Sequence, residues 1–251
     1  MNWLVSAGLF VLGACVGSFL NVVADRLPAG ESLLHPPSRC PACGRRLAKR
    51  ELVPIVSWLA LRGRCRTCTA PIPLRVPTVE LTTALVFAAA GWLISPWPRL
   101  VVTMGFASLL IAIAAIDLEH QVVLNRLVYP ALALALAAAL LPWPPETLPA
   151  LGGGAVAFGA LFAIAVLLPR GMGMGDVKLA AFIGLAVGFP LAVPVLLLAF
   201  ISGGLVGGFL LLTRRAKPGD AVPFGPFLAL AGVAGLLFGD RFLIYWLGRP
   251  A

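Results

Sequence analysis

Residues 167–182 read LLPRGMGMGDVKLAAF, and this stretch separates two apolar runs. Residues 161–168 before it and residues 179–187 after it are almost wholly hydrophobic. Between the runs stand three glycines at a spacing of two, an aspartate and a lysine. Charged residues in such a position belong either to a turn at a membrane surface or to a functional site, and the rest of the chain decides between them.

Charged residues make up only 12% of the 251 residues, whereas hydrophobic residues make up 60% and the mean hydropathy is +0.99. Soluble domains usually carry about a quarter charged residues. A chain with half that share cannot cover a surface that faces water. We therefore predict an all-α polytopic membrane protein, because a helix of roughly 20 apolar residues crosses a bilayer.

Eight apolar stretches predict about eight transmembrane helices. The first lacks the basic start of a secretory signal peptide and is expected to be a span. The stretches lie at about 3–24, 78–95, 100–116, 127–142, 150–168, 177–189, 191–212 and 224–247.

The basic residues predict the orientation of these spans, since Lys and Arg favour cytoplasmic loops. Sixteen of the 19 basic residues fall in alternate loops, ten of them between Arg26 and Arg75, whereas Arg99, Arg241 and Arg249 fall in the others. We expect the long basic loop in the cytoplasm and both chain ends outside it. Acidic lipid headgroups favour the same faces, and nothing in the charge pattern indicates nucleic-acid binding.

The one long polar segment, residues 26–76, contains the motifs CPAC and CRTC. Each motif is a short Cys-x-x-Cys turn, called a knuckle below, and two knuckles can place four thiolates around one tetrahedral ion. The bound metal supplies folding free energy that a segment of this size lacks. We predict a small zinc-ribbon-like loop domain with structural zinc. Two disulfides are the alternative, which the reducing cytoplasm disfavours. The predicted ligands are Cys40, Cys43, Cys65 and Cys68.

Three acidic residues lie at predicted membrane depth: Glu80 begins the second span, Asp117 ends the third, and Asp176 follows GMGMG. In the predicted orientation Asp117 and Asp176 share the cytoplasmic membrane face. Two facing carboxylates can share one proton and act as base and acid toward water, which is aspartic-protease chemistry. The alternatives are that Asp176 is only a helix N-cap and that Asp117 is an ordinary interfacial residue.

Gly171, Gly173 and Gly175 do not form a helix-packing face, which would need a spacing of four. Their spacing favours irregular backbone that admits an extended chain beside Asp176. Lys178 is expected to anchor the helix that follows.

Two other classes of function fit parts of the pattern. A transporter would use Asp117 and Asp176 as proton or cation sites, but it predicts inverted repeats and acids near mid-span, and the sequence shows no clear sign of either. A zinc-ribbon membrane scaffold without catalysis would leave the aspartates unexplained.

Motifs along nearly the whole chain, in order, resemble those of the bacterial type IV prepilin peptidases, which are aspartic membrane proteases of the GxGD type. The matching stretches are GSFLNVVADRLP at 17–28, CPACGRRL at 40–47, PIVSWLALRGRCRTC at 54–68, PTVEL at 77–81, AAIDLEHQ at 114–121, GMGMGDVKLAAFIG at 171–184 and FGPFLALA at 224–231.

The resemblance implies an enzyme that removes the basic leader of type IV prepilins and pseudopilins after a glycine, at the cytoplasmic face of the inner membrane. Many members then methylate the new N-terminus with S-adenosylmethionine, and the zinc loop occurs in members that do so. A peptidase without methyltransferase activity remains the alternative. The implied division is a first span at 1–25, a zinc loop domain at 26–76 and a membrane catalytic domain with about seven spans at 77–251.

Carried over by motif, the resemblance implies that Asp117 and Asp176 are the catalytic pair. It places the methyl-donor site only loosely, near the first motif, the zinc loop and Glu80. The family usually has Pro before the Asp or Asn at 125, where this chain has Leu124, and we expect the missing Pro to loosen the turn after Asp117. The residues with implied supporting roles are Gly173, Gly175, Lys178 and Glu80.

Overall fold

A computed structural model of the chain describes residues 3–141, 145–168, 172–215, 217 and 222–247, without the side chains of 245–247. Helices are the regular elements of these ranges, and extended pairing there is limited to two isolated bridges, Arg39 with Arg46 and Arg64 with Pro71. The predicted all-α class is confirmed.

The eight predicted apolar stretches each correspond to one helix, and a short additional helix, α2, lies in the polar loop together with a 3-10 turn at Lys49–Leu52. The helices are α1 (Trp3–Arg26), α2 (Val56–Ala60), α3 (Arg75–Leu93), α4 (Trp97–His120), α5 (Asn125–Ala138), α6 (Thr147–Leu167), α7 (Met174–Val187), α8 (Ala192–Leu212) and α9 (Gly225–Leu247).

About eight spans are predicted, and six helices of the described chain are long and apolar enough to cross a membrane: α1, α3, α4, α6, α8 and α9. Helices α5 and α7 have 14 residues each. At 1.5 Å per residue they measure about 21 Å, shorter than a hydrocarbon core of about 30 Å. The chain is a multi-pass membrane protein with six candidate spans.

The chain divides into two compact units, Met1–Leu100 and Val101–Ala251. In the first unit, α1 and α3 approach at backbone distance. A Cβ added to Gly13 would lie 2.7 Å from the carbonyl oxygen of Thr83, and one added to Gly17 would lie 2.7 Å from Cα of Glu80. Small residues four apart allow this approach, and it brings Glu80 against α1.

In the second unit, α7 packs against α5, α6, α8 and α9. Val177, Leu179 and Phe182 of α7 are fully buried. Gly153 of α6 and Gly184 of α7 face each other so closely that neither position leaves room for a Cβ atom. The short helix that carries Asp176 is therefore enclosed by its neighbours and held at a fixed position.

Candidate functional site

Asp117 lies in the last turn of α4, and its side chain is only 4% exposed. The backbone N–H of Gly225, the first residue of α9, donates a hydrogen bond of 3.1 Å to Asp117 Oδ2. A Cβ atom on Gly225 would lie 2.5 Å from that oxygen. The positive end of a helix therefore holds the carboxylate, at a distance that only glycine permits. Gly225 belongs to the motif FGPFLALA, but the sequence alone assigns no role to it.

Asp176 is half-buried in the first turn of α7, where its N–H donates to the carbonyl oxygen of Gly173 at 3.1 Å. The N-cap of the helix is Gly173, with φ −79° and ψ 146°. The interpretation of Asp176 as the N-cap is therefore wrong, because Asp176 is the third helical residue. Its carboxylate instead lies beside the backbone of Gly173.

The structure brings Asp117 and Asp176 together, close enough for the charge of one carboxylate to act on the other. The two residues come from different helices and are separated by 58 residues in the chain.

The glycines before Asp176 differ from one another. Gly173 is extended and exposed, and a Cβ atom there would come no closer than 3.6 Å to Asp176 Oδ2, which leaves the carboxylate accessible. Gly175 is helical, which corrects the prediction of irregular backbone there. A Cβ atom on Gly175 would lie 2.7 Å from Cβ of Val123, so this glycine lets the α4–α5 loop pack on α7. Gly171 lies outside the described residues.

Lys178 joins α7 to the first turns of α5. Its Nζ donates to Oδ1 of Asn125 and to the hydroxyl of Tyr129, both at 3.0 Å, and lies 4.9 Å from the centroid of the Tyr129 ring. Leu124, the N-cap of α5, has φ −73°, within the range that Pro would impose. The backbone of this turn is therefore compatible with the Pro that the family usually has.

The four cysteines of the loop form one cluster, in which the four Sγ atoms all lie within 4.8 Å of one another. The Sγ atoms of Cys40 and Cys68 are 3.7 Å apart. Four sulfurs at 2.3 Å from a tetrahedral zinc ion lie about 3.8 Å apart, so the cluster fits such an ion. All four are free thiols, contrary to the disulfide alternative.

The two knuckles have the same backbone geometry. In each, the N–H of the first cysteine donates to the carbonyl five residues later, and the N–H four residues after that cysteine donates back to its carbonyl, at 2.8–3.0 Å. The residues at this fourth position, Gly44 and Thr69, both have positive φ. Backbone hydrogen bonds from Cys68 and Thr67 lower the pKa of Cys65 to about 6, which favours the thiolate that binds metal.

A charged pair supports the cluster from outside. Arg45 donates two hydrogen bonds to the Glu51 carboxylate, at 3.0 and 2.8 Å, and Glu51 also accepts from the N–H of Ala48 at 2.7 Å. Arg45 and the Ala48 N–H hold the pKa of Glu51 at about 2. Arg45 also lies beside Cys65, so this pair connects the cysteine cluster to the 3-10 turn.

Glu80 belongs to the first unit, together with the cysteine cluster. It is 4% exposed, and its Oε2 accepts a hydrogen bond of 2.6 Å from the N–H of Ile55. Its carboxylate also lies beside the side chain of Ser18. Glu80 lines a cavity of about 830 Å³ between the loop, α1 and α3.

Comparisons with known proteins match both units separately. Residues 11–94 match the family described as the bacterial peptidase A24 N-terminal domain, and residues 104–208 match the type IV leader peptidase family.

Several curated relatives carry the name prepilin leader peptidase/N-methyltransferase. The protein from Stutzerimonas stutzeri is 36% identical, over 92% of this chain and 90% of its own length. The one from Bacillus subtilis (strain 168) is 34% identical, over 95% of this chain and 96% of its own length. The one from Myxococcus xanthus (strain DK1622) is 41% identical, over 84% of this chain and 64% of its own length. No solved structure shows significant similarity to the chain.

Proposed function

The chain belongs to the type IV leader peptidase family, and on this premise we propose that it is a prepilin leader peptidase and N-methyltransferase. It hydrolyses the peptide bond that follows a glycine at the end of the basic leader of type IV prepilins or pseudopilins. It then methylates the α-amine that this cleavage exposes. The transporter alternative is not supported by membership of a peptidase family.

The observation that carries the peptidase is the approach of Asp117 and Asp176 from two helices. We assign the two as the catalytic pair, with one carboxyl protonated and the other ionised. The ionised carboxylate takes a proton from water as the water oxygen attacks the scissile carbonyl carbon, and the protonated carboxyl gives its proton to the carbonyl oxygen. Breaking the C–N bond then transfers a proton to the leaving nitrogen.

The surroundings of the pair suit this chemistry. The N–H of Gly225 fixes one oxygen of Asp117, which leaves the other oxygen for water or substrate. Gly173 leaves Asp176 accessible, and Lys178 holds α7 to α5 at the turn beside it. A scissile peptide that is extended beside Gly173 would present its carbonyl to both carboxylates.

The membrane determines where the cleavage junction of the substrate lies. The 16-to-3 distribution of basic residues favours the zinc loop and the two aspartates on the cytoplasmic side of a bacterial inner membrane, with both chain ends on the other side. A prepilin has an apolar helix after its basic leader, so its cleavage junction lies at this face. Since the enzyme's loop is also basic, recognition rests on packing of that apolar helix between spans.

Zinc and S-adenosylmethionine are the proposed cofactors. The four cysteines close a tetrahedral shell, so zinc there is structural and stabilises the loop domain 26–76 between the first span, 1–25, and the membrane catalytic domain, 77–251. S-adenosylmethionine supplies the electrophilic methyl group when it is bound. A peptidase that lacks the methyl transfer is the second candidate function.

Mass spectrometry of a prepilin-like substrate tests both activities. The substrate is incubated with the detergent-purified protein, with and without S-adenosylmethionine. We expect loss of the leader in both reactions and the gain of one methyl group on the new N-terminus only with the methyl donor. Cleavage without this gain would leave the second candidate, and failure to cleave several such substrates would contradict the proposal.

A further inference from the structure

Glu80 is a buried acid whose neighbours Ile55 and Ser18 are uncharged. Its carboxylate interacts with the Ile55 N–H and the Ser18 side chain, and within residues 3–100 no basic side chain forms an ion pair with it. Buried charges in proteins are normally paired, because an unpaired one is costly to remove from water. A cation that joins Glu80 in its cavity would supply the charged partner that the described residues do not.

The backbone that contacts Glu80 is held in a rare conformation. Ile55 has φ 62° and ψ −54°, and the N–H of Val56 donates to the carbonyl of Pro54, which forms a γ-turn. A β-branched residue seldom adopts positive φ, and such outliers concentrate at functional sites. The turn directs the Ile55 N–H at Oε2 and so fixes the orientation of the carboxylate.

A second hydrogen-bond acceptor lines the same cavity. Asn21 is 6% exposed, and its Nδ2 donates to the carbonyls of Gly17 at 3.2 Å and Val76 at 3.0 Å. These two bonds fix the amide, and its Oδ1 has no hydrogen-bond partner among the described residues. A carboxylate and an unpaired amide oxygen together complement a group rich in donors, such as an ammonium.

The cavity has the size of a ligand site, about 830 Å³, within the usual range of 300–1,000 Å³. The peptidase family match covers only the second unit, whereas the cavity lies in the first, which matches a separate N-terminal family. The relatives' shared name includes a second activity, methylation of a nitrogen.

We propose that Glu80 binds the α-ammonium group of the cleaved substrate in this cavity and accepts its proton before methyl transfer, with Asn21 as the second acceptor. The inference rests on the proposed function and deepens it. The ligand class is the free N-terminal amine of a peptide.

The proposed reaction is a proton transfer followed by a methyl transfer. The ammonium gives one proton to a Glu80 oxygen, which frees the electron pair of the nitrogen. This pair forms the new N–C bond to the methyl carbon of the sulfonium donor, and the electrons of the broken C–S bond remain on sulfur. The products are a methylated ammonium and a neutral thioether, and Glu80 releases the proton to solvent.

The variant Glu80→Gln tests the charge and keeps an oxygen that can accept from Ile55. We expect leader cleavage to continue at the wild-type rate and methyl transfer to fall by about 100-fold or more, the usual contribution of a general base. The matched control is Glu146→Gln, which changes an exposed acid at the N-cap of α6, outside the lining of this cavity, and should leave both rates unchanged. Methyl transfer by Glu80→Gln within about twofold of wild type would overturn the proposal.

Binding provides a readout that needs no turnover and no variant. Calorimetry of the wild-type protein compares mature N-terminal peptides with a free and an acetylated α-amine. We expect the free amine to bind about 10- to 100-fold more tightly, as a charge-assisted hydrogen bond predicts, and this preference to disappear in Glu80→Gln. Equal binding of the two peptides to wild type contradicts the inference even if Glu80→Gln does not fold.

Two results separate this inference from the proposed function. The inference fails and the proposed function stands if wild type and Glu80→Gln methylate cleaved substrate at the same rate. The same conclusion follows if Glu80→Gln weakens binding of the methyl donor but not of the amine. If wild type neither cleaves nor methylates, the proposed function fails, and the peptide titration still decides whether the cavity binds an amine.

Discussion

The N–H of Gly225 donates a hydrogen bond of 3.1 Å to Oδ2 of Asp117 and thereby joins the start of α9 to the end of α4. The two residues are 108 positions apart in the chain. Because a Cβ atom on Gly225 would lie 2.5 Å from the same oxygen, the contact requires a residue without a side chain. Gly225 thus positions one acid of the pair.

Gly225→Ala should displace the Asp117 carboxylate. A misplacement of about 1 Å in an active site can cost about 100-fold in rate. We therefore expect kcat for leader cleavage to fall by about that factor while KM changes little, as measured by initial cleavage rates across substrate concentrations. Methyl transfer to a peptide that is already cleaved should be unaffected.

The matched control is Gly105→Ala on α4, where an added Cβ atom meets nothing within 4 Å. It should cleave at the wild-type rate. Equal rates for Gly225→Ala and Gly105→Ala would show that the hydrogen bond has no part in positioning Asp117.

Metal removal should affect the two activities unequally. Because zinc is structural in this account, Cys40→Ser or stringent chelation should lower the melting temperature. Either change should also reduce the rate of methyl transfer by a larger factor than the rate of peptide-bond cleavage. Thermal unfolding and the two rates, measured on the same metal-free preparation, check this. Wild-type stability and methylation after complete metal removal would contradict a structural zinc.

Glu51 supports the cluster through Arg45, so Glu51→Gln should release zinc to a chelator about 10- to 100-fold faster, as loss of an outer-shell partner predicts. Glu51→Gln is compared with Glu31→Gln.

The pKa of Glu51 is lowered from its ordinary 4.5 to about 2. Its ionised form therefore stabilises the fold fully above the ordinary value and loses this effect only as the pH falls toward 2. Between about pH 6 and 8 the ratio of the zinc-release rates of Glu51→Gln and wild type should therefore be constant. A ratio that varies across this interval would refute the assigned role.

The α7 segment shows what an apolar pattern cannot distinguish. The run at 177–189 predicts a span, yet α7 is a 14-residue helix enclosed by α5, α6, α8 and α9. Burial against protein and burial in lipid select the same apolar residues, so composition alone gave a span count of eight where six helices qualify. The cysteine cluster was predictable because each Cys-x-x-Cys turn is local and its two cysteines lie three residues apart.

The aspartate pair was predictable only as a hypothesis, since 58 residues intervene and the contact is tertiary. The sequence contained one unused signal for Gly225. Pro226 follows it, and Pro in the first turn indicates where a helix begins. That signal gives the start of α9, but the partner of its first N–H depends on how α4 and α9 pack.

Leu124→Pro tests the turn after Asp117, where the family usually has Pro. Leu124 already has φ −73°, and its N–H donates no hydrogen bond in the described chain. The substitution should leave cleavage unchanged and stabilise the protein by about 0.4–1 kcal/mol through the unfolded state. Thermal or denaturant unfolding measures this, and a loss of stability would mean that the turn depends on Leu itself.

The central claim is that Asp117 and Asp176 together cleave the leader. Its most direct test is the cleavage rate of Asp117→Asn and Asp176→Asn by mass spectrometry, with Glu146→Gln, an exposed acid at the N-cap of α6, as control. Each Asn variant should lose cleavage by about 100- to 10,000-fold or more, yet still methylate a peptide that is already cleaved, while the control cleaves normally. Substantial cleavage by either Asn variant would remove that aspartate from the mechanism.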